Sequence, residues 1–151
     1  MSRYEHGHRS ILRKAGIARR LDAEGLFERG RYSGAVYLAG YAVECALKVA
    51  LMEVAGVEHL RDLEEWLRGG PGLDPDAVLH NIEVLSEHHP GVKRMLANVN
   101  DPAAKDLVRA RNDCNRWRPS ERYSAAALDR ESARRRLDAV DSYCNLIRNS
   151  L

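Results

Sequence analysis

Hydrophobic positions along this chain recur with a helical period, and the clearest case is YSGAVYLAGYAVECALKVALM, Tyr32 to Met52. Its only charges are Glu44 and Lys48. At 100° per residue, Ala35, Ala39, Ala42 and Ala46 fall on one stripe, flanked by Val36, Val43 and Leu47. Small side chains there let a neighbouring helix approach closely. Tyr37, Tyr41, Glu44 and Lys48 fall on a second stripe of the same spacing, with Glu before Lys, the favourable order for an i, i+4 pair. The pattern predicts a central helix with one polar side.

Other segments carry the same period. The terminal stripe Ala133, Leu137, Val140, Cys144, Ile147 and Leu151 predicts a long helix from about Ala125 to Asn149. Ala103, Leu107, Ala110, Cys114 and Trp117 predict another, opened by Asp101 as N-cap and Pro102 at the first helical position. Val78, Ile82 and Leu85 mark a shorter helix between Asp74-Pro75 and His89-Pro90-Gly91. Leu60, Leu63 and Leu67 mark one ended by Gly69-Gly70-Pro71-Gly72, and Val92 to Val99 adds a helical turn. The first helix, about Ser10 to Glu28, shows a weaker stripe of Ile11, Ala15, Ala18 and Leu21. No segment has sustained strand alternation with hairpin turns. The expected fold is all-α, an antiparallel up-and-down bundle of about five helices. Residues 10–151 form one domain, and residues 1–9 are expected to fray.

A chain of 151 residues can bury a real core, and 44% hydrophobic with 30% charged residues reads as globular. The net charge of +2 conceals an uneven distribution. Residues 53–87 hold nine acids against two bases, and residues 105–136 hold ten bases against five acids. Only four of the 24 basic residues are Lys. Guanidinium groups suit phosphate recognition, and base composition of the genome produces the same bias. Tyr32 to Met52 is long enough to span a membrane, but a central Glu and Lys would cost several kcal/mol in hydrocarbon, so a core helix is expected. Cys45, Cys114 and Cys144 fit neither a disulfide framework nor zinc-finger spacing, and a reducing cytoplasm is the natural compartment.

Three stretches together resemble a known family. Ala42, Glu44, Leu47 and Lys48 match an A-x-E-x-x-L-K core, and RWRPSERY (Arg116 to Tyr123) resembles an aromatic-x-x-x-x-Arg-Tyr segment. His80-Asn-Ile-Glu-Val-Leu is similar to a His-x-Leu-x-x-Leu element between them. In this order the three resemble HEPN domains (higher eukaryotes and prokaryotes nucleotide-binding), over roughly Ser10 to Leu151. The resemblance implies a helical bundle that commonly dimerises. Many HEPN members are RNA-cleaving toxins with an Arg-x(4–6)-His pair. Arg111-Asn112 matches its first half, but Arg116, Trp117 and Arg118 stand where the His would be. Arginine stays protonated and is a poor base, so the resemblance implies a variant without that catalytic pair. Such variants are similar to the partners of minimal nucleotidyltransferases in toxin–antitoxin-like pairs, where they bind nucleotide or assist the enzyme. A metal-independent RNA-cleaving toxin using Arg111, Asn112 and a displaced His80 is the enzymatic alternative, and a structural helical adaptor is a third.

The candidate nucleotide- or RNA-binding residues are Arg111, Asn112, Arg116, Trp117, Arg122 and Tyr123, where guanidinium groups could meet phosphate and aromatic rings could stack on bases. The competing reading makes Trp117 a core residue and the arginines a solvated helix end. Tyr37, Tyr41, Glu44 and Lys48 are the cleft-supporting residues. Glu44 and Lys48 are either a surface pair worth a few tenths of a kcal/mol, or an anchor for an arginine of the 111–122 segment in a buried network. His88-His89 lacks a completing ligand, so no metal and no cofactor are expected. Arg3-x(4)-His8 repeats the ribonuclease spacing in the expected frayed terminus, outside the family's location for it. Arg130, Arg134, Arg135 and Arg136 read as the wet face of the last helix.

Overall fold

A computed structural model describes residues 7–69, 82–97 and 128–149, together with residues 100 and 102. The described residues contain six helices: α1 (Arg9–Glu28), α2 (Tyr32–Ala55), α3 (Leu60–Arg68), α4 (Ile82–Glu87), α5 (Pro90–Ala97) and α6 (Arg130–Asn149). Among them there is no strand, only a single antiparallel bridge between His8 and His59. The protein is an all-α helical bundle.

α2 is its axis. Ala35, Ala39, Ala42, Val43, Leu47, Leu51 and Met52 are all buried, and α1 and α6 pack along it. By length and composition α2 could cross a membrane, yet 72% of its most apolar window is buried inside the bundle, as in a core helix. Short links bound it. Gly30 (φ +75°) turns the chain from α1, and Gly56 (φ +70°) ends α2 in the left-handed conformation that glycine adopts without steric penalty. α1 and α6 run antiparallel. Arg20 meets Asp141, and four residues on Glu24 meets Arg134, seven residues earlier on α6.

α1 differs from the pattern read in the sequence. Its buried residues are Gly16, Ala23 and Phe27, with Leu12 and Leu26 packed at the margin. Ile11 is 41% exposed and Leu21 is 69% exposed, so the stripe Ile11, Ala15, Ala18 and Leu21 is not the core face. The alanine face of α2 selects instead the side of α1 that carries Gly16. A Cβ on Gly16 would lie 3.0 Å from that of Cys45, so this glycine permits the close approach.

Three boundaries also move. Residues 7–9 are not frayed: Arg9 N–H donates to Glu58 O at 2.7 Å, and Leu60 N–H donates to Gly7 O at 2.8 Å. The entry to α1 is thereby tied to the α2–α3 link. His89-Pro90-Gly91 closes α4 but also opens α5, with Pro90 at the first helical position and His89 as its cap. α6 starts at Arg130, later than Ala125, because the Asp129 carboxylate accepts the Ser132 N–H at 2.7 Å and caps it there.

Candidate functional site

The acid–base stripe of α2 lies inside the molecule. Lys48 Nζ donates to Glu44 Oε2 at 3.3 Å, and the two residues are only 6% and 3% exposed. This corrects the surface-pair reading. A solvated pair is worth little, whereas removing one partner of a buried pair strands the other charge, typically at about 3–5 kcal/mol. One and two turns before Glu44, Tyr41 and Tyr37 continue the edge. The Tyr37 hydroxyl donates to that of Tyr41 at 3.2 Å, and the rings meet edge to face with centroids 5.1 Å apart. Helical spacing alone brings these four side chains together, since positions three, four and seven apart share a face. The edge therefore offers one cation, one carboxylate and two phenols at the side of an otherwise apolar helix.

Further buried polar groups were missed in the sequence. Glu64 on α3 is 2% exposed, and its signal was its place four residues after Leu60, beside Leu63 and Leu67. Tyr143 on α6 is fully buried and its hydroxyl is hydrogen-bonded to Ser86 Oγ, which also donates to Ile82 O at 2.6 Å. It sits between Val140 and Ile147 on the apolar stripe, and its polar tip disguised it. His89 is 1% exposed. Its Nδ1 accepts the Val92 N–H at 3.2 Å, while its Nε2 is buried without a hydrogen-bond partner. Burial pushes its pKa below the usual histidine value.

The remaining candidates separate clearly. Arg111, Asn112, Arg116, Trp117, Arg122, Tyr123 and His80 lie outside the described residues, as do Cys114 and Arg3. His8 is occupied in structure: its Nδ1 accepts the Ser10 N–H and its ring packs edge to face on His59. Among the described residues no cluster of three or more His, Cys, Asp or Glu side chains could hold a metal ion. Cys144 and Cys45 carry thiols pushed up by desolvation, Cys144 to about 11, so neither is an activated nucleophile.

Two arginines of α6, Arg130 and Arg134, are engaged with α1. Arg134 grips both carboxylate oxygens of Glu24 at 2.6 and 3.2 Å and reaches Asp138 at 3.1 Å. These contacts, led by the hydrogen bond from Arg134, hold the Glu24 carboxyl down to about 2. The Arg134 guanidinium also lies 4.7 Å from the Phe27 ring centroid, and that of Arg130 lies 5.1 Å from it.

On the alanine side of α2, away from the acid–base edge, α1, α2 and α6 enclose an open groove of about 770 Å³. Gly16, Ala42 and Ala46 line it beside Ile17, Leu21 and Ile147. No protein-family model matches the chain, and comparison with curated proteins and with solved structures likewise gives no match.

Proposed function

We propose that this chain is a HEPN-type protein that binds nucleotide or RNA without cleaving it, as a homodimeric cytoplasmic partner of a minimal nucleotidyltransferase in a toxin–antitoxin-like pair. The observation that carries the proposal is the buried Glu44–Lys48 pair, at the two charged positions of the A-x-E-x-x-L-K segment. An apolar pair of similar volume would hold α2 in place at least as well, so stability alone does not call for these charges. Their use lies in positioning. Glu44 can orient a guanidinium of the Arg111–Arg122 segment, and that guanidinium can take a phosphate oxygen in a paired geometry. Tyr37 and Tyr41 extend the same edge with hydroxyls and ring faces.

Catalysis is not part of the proposal, because Arg116, Trp117 and Arg118 occupy the positions at which the ribonuclease histidine would stand. The test is incubation of short single-stranded RNA with wild type and Arg111→Ala, scoring binding and cleavage together. The expected result is intact RNA, bound more weakly as salt rises, with Arg111→Ala weaker still by about tenfold. Robust cleavage that disappears in Arg111→Ala would replace this reading with the RNA-cleaving toxin.

A further inference from the structure

We infer that the groove formed by α1, α2 and α6 binds a medium-chain alkyl carboxylate, with Arg148 at its acid head and the apolar hollow along its tail. The inference goes beyond the reading above and is independent of it, because the groove lies on the alanine side of α2, away from the acid–base edge.

The tail site comes from side-chain size. Gly16, Ala42 and Ala46 contribute almost no bulk, so they leave a hollow between the helices. Ile17 and Leu21 stand one turn apart on α1 at its edge, 61% and 69% exposed. Two large aliphatic side chains beside an apolar hollow are unfavourable in water, and an alkyl chain laid along them removes that area from solvent. The hollow measures about 770 Å³. That is within the range of small-molecule sites, which are mostly apolar with a few placed polar groups.

Charge selects the head. Arg13, Arg20 and Arg148 line the groove against two carboxylates, Glu53 and Asp141. Arg13 Nη2 lies 2.6 Å from Glu53 Oε1, and Arg20 grips Asp141 at 2.6 and 2.7 Å. Arg148 differs. It donates to Asn145 Oδ1 at 2.8 Å and to Cys144 O at 3.4 Å, both neutral acceptors, and meets no carboxylate among the described residues. A guanidinium has five N–H donors, so Arg148 can still give a carboxylate a charge-assisted hydrogen bond. Its place is at one end of the groove. Arg20 and Asp141 face each other across antiparallel helices, so Arg148, two turns beyond Asp141, stands level with Arg13. From Arg13 to Leu21, α1 rises about 12 Å, about the length of an extended ten-carbon chain. One surplus positive charge at the wet end of an apolar slot matches one acid on an aliphatic tail. A nucleic acid would need a row of such charges, and a second copy of this chain would add a second surplus cation without neutralising the first.

Calorimetric titration of the full chain with sodium decanoate, kept below its micelle-forming concentration, tests the site. Wild type should bind one decanoate with a Kd of about 1–100 µM. Octanoate should bind about tenfold more weakly, because two methylenes leave the hollow. Decanol, the same tail without the acid, should also bind about tenfold more weakly than decanoate. Arg148→Ala changes an exposed side chain and should bring decanoate down to the affinity of decanol, leaving decanol itself unchanged. Leu21→Glu should weaken both ligands, and Trp66→Glu, on α3 and 40% exposed, should weaken neither. All three variants should keep the helical circular dichroism of wild type. A wild type that binds no decanoate, or binds decanol as tightly, would overturn the site. So would equal decanoate binding by Arg148→Ala, or an equal loss in Trp66→Glu, which would mark adsorption to any exposed hydrophobic. Binding of anionic phospholipid vesicles without free decanoate would give the patch to a membrane surface instead, and a concentration-dependent dimer that excludes decanoate would give it to a second copy.

Discussion

His89 combines two roles that acid sets against each other. Its Nδ1 must be unprotonated to accept the Val92 N–H that caps α5, and its Nε2 is buried without a partner. Desolvation, the largest influence, lowers its pKa; Glu53 on α2 pulls it back up and Arg94 on α5 pushes it down. The unfolded chain takes up this proton near pH 6.5, before the native state does. The stability His89 contributes is therefore complete above about pH 6.5 and is lost as pH falls below it. Glu24 acts in the same direction lower down. Its carboxyl is held to about 2 against an ordinary 4.5, so its contribution is present above 4.5 and disappears on the way to 2. Urea midpoints measured against pH should fall in two stages. His89→Asn keeps a capping side chain and should flatten the upper stage alone. An unchanged upper stage in that variant would assign it to another group.

The α1–α2 packing makes its own prediction, through two glycines with the same helical handicap. Gly25 is exposed, and a Cβ there would meet nothing within 4 Å. Gly25→Ala should stabilise the protein by about 0.5–1 kcal/mol. Gly16→Ala gains the same propensity but sets its Cβ 3.0 Å from that of Cys45, an atom tied to the α2 backbone. The helices would have to part, and a net loss of about 1 kcal/mol is expected in urea unfolding. Gains of equal size at both positions would show that the approach is looser than described. This contact also explains which parts of the helices were legible beforehand. The period of α6 was read correctly because it has one dominant apolar face. That of α2 was read from its alanine stripe, although the structure buries the opposite edge of α2 as well. α1 has two overlapping candidates, Ile11–Ala15–Ala18–Leu21 and Leu12–Gly16–Ala23–Phe27, and hydrophobicity favours neither. Fit against the alanines of α2 decides, and fit is a property of the pair. His89-Pro90-Gly91 misled for a related reason: the residues that stop one helix also suit the start of the next.

At the scale of the molecule, the all-α bundle followed from periodicity, while the site was only partly legible. Spacing placed Tyr37, Tyr41, Glu44 and Lys48 on one edge, and the structure puts the charged pair in the interior. Burial could not be read from spacing, since an i, i+4 Glu–Lys pair looks the same on a wet face as in a core. Likewise Ile11 and Leu21 read in sequence as part of the apolar stripe of α1 and prove to be surface. The bundle thus has two distinct sides around α2, an apolar groove on its alanine face and a buried charged edge on the opposite side, which we propose serves an anion. Calorimetric titration of ATP and of short single-stranded RNA into wild type, Glu44→Gln and Arg122→Ala tests that edge. Wild type should bind one of them, and both variants, folded by circular dichroism, should bind at least about tenfold more weakly. Equal affinity in all three proteins, or a wild type that binds neither probe, would contradict it.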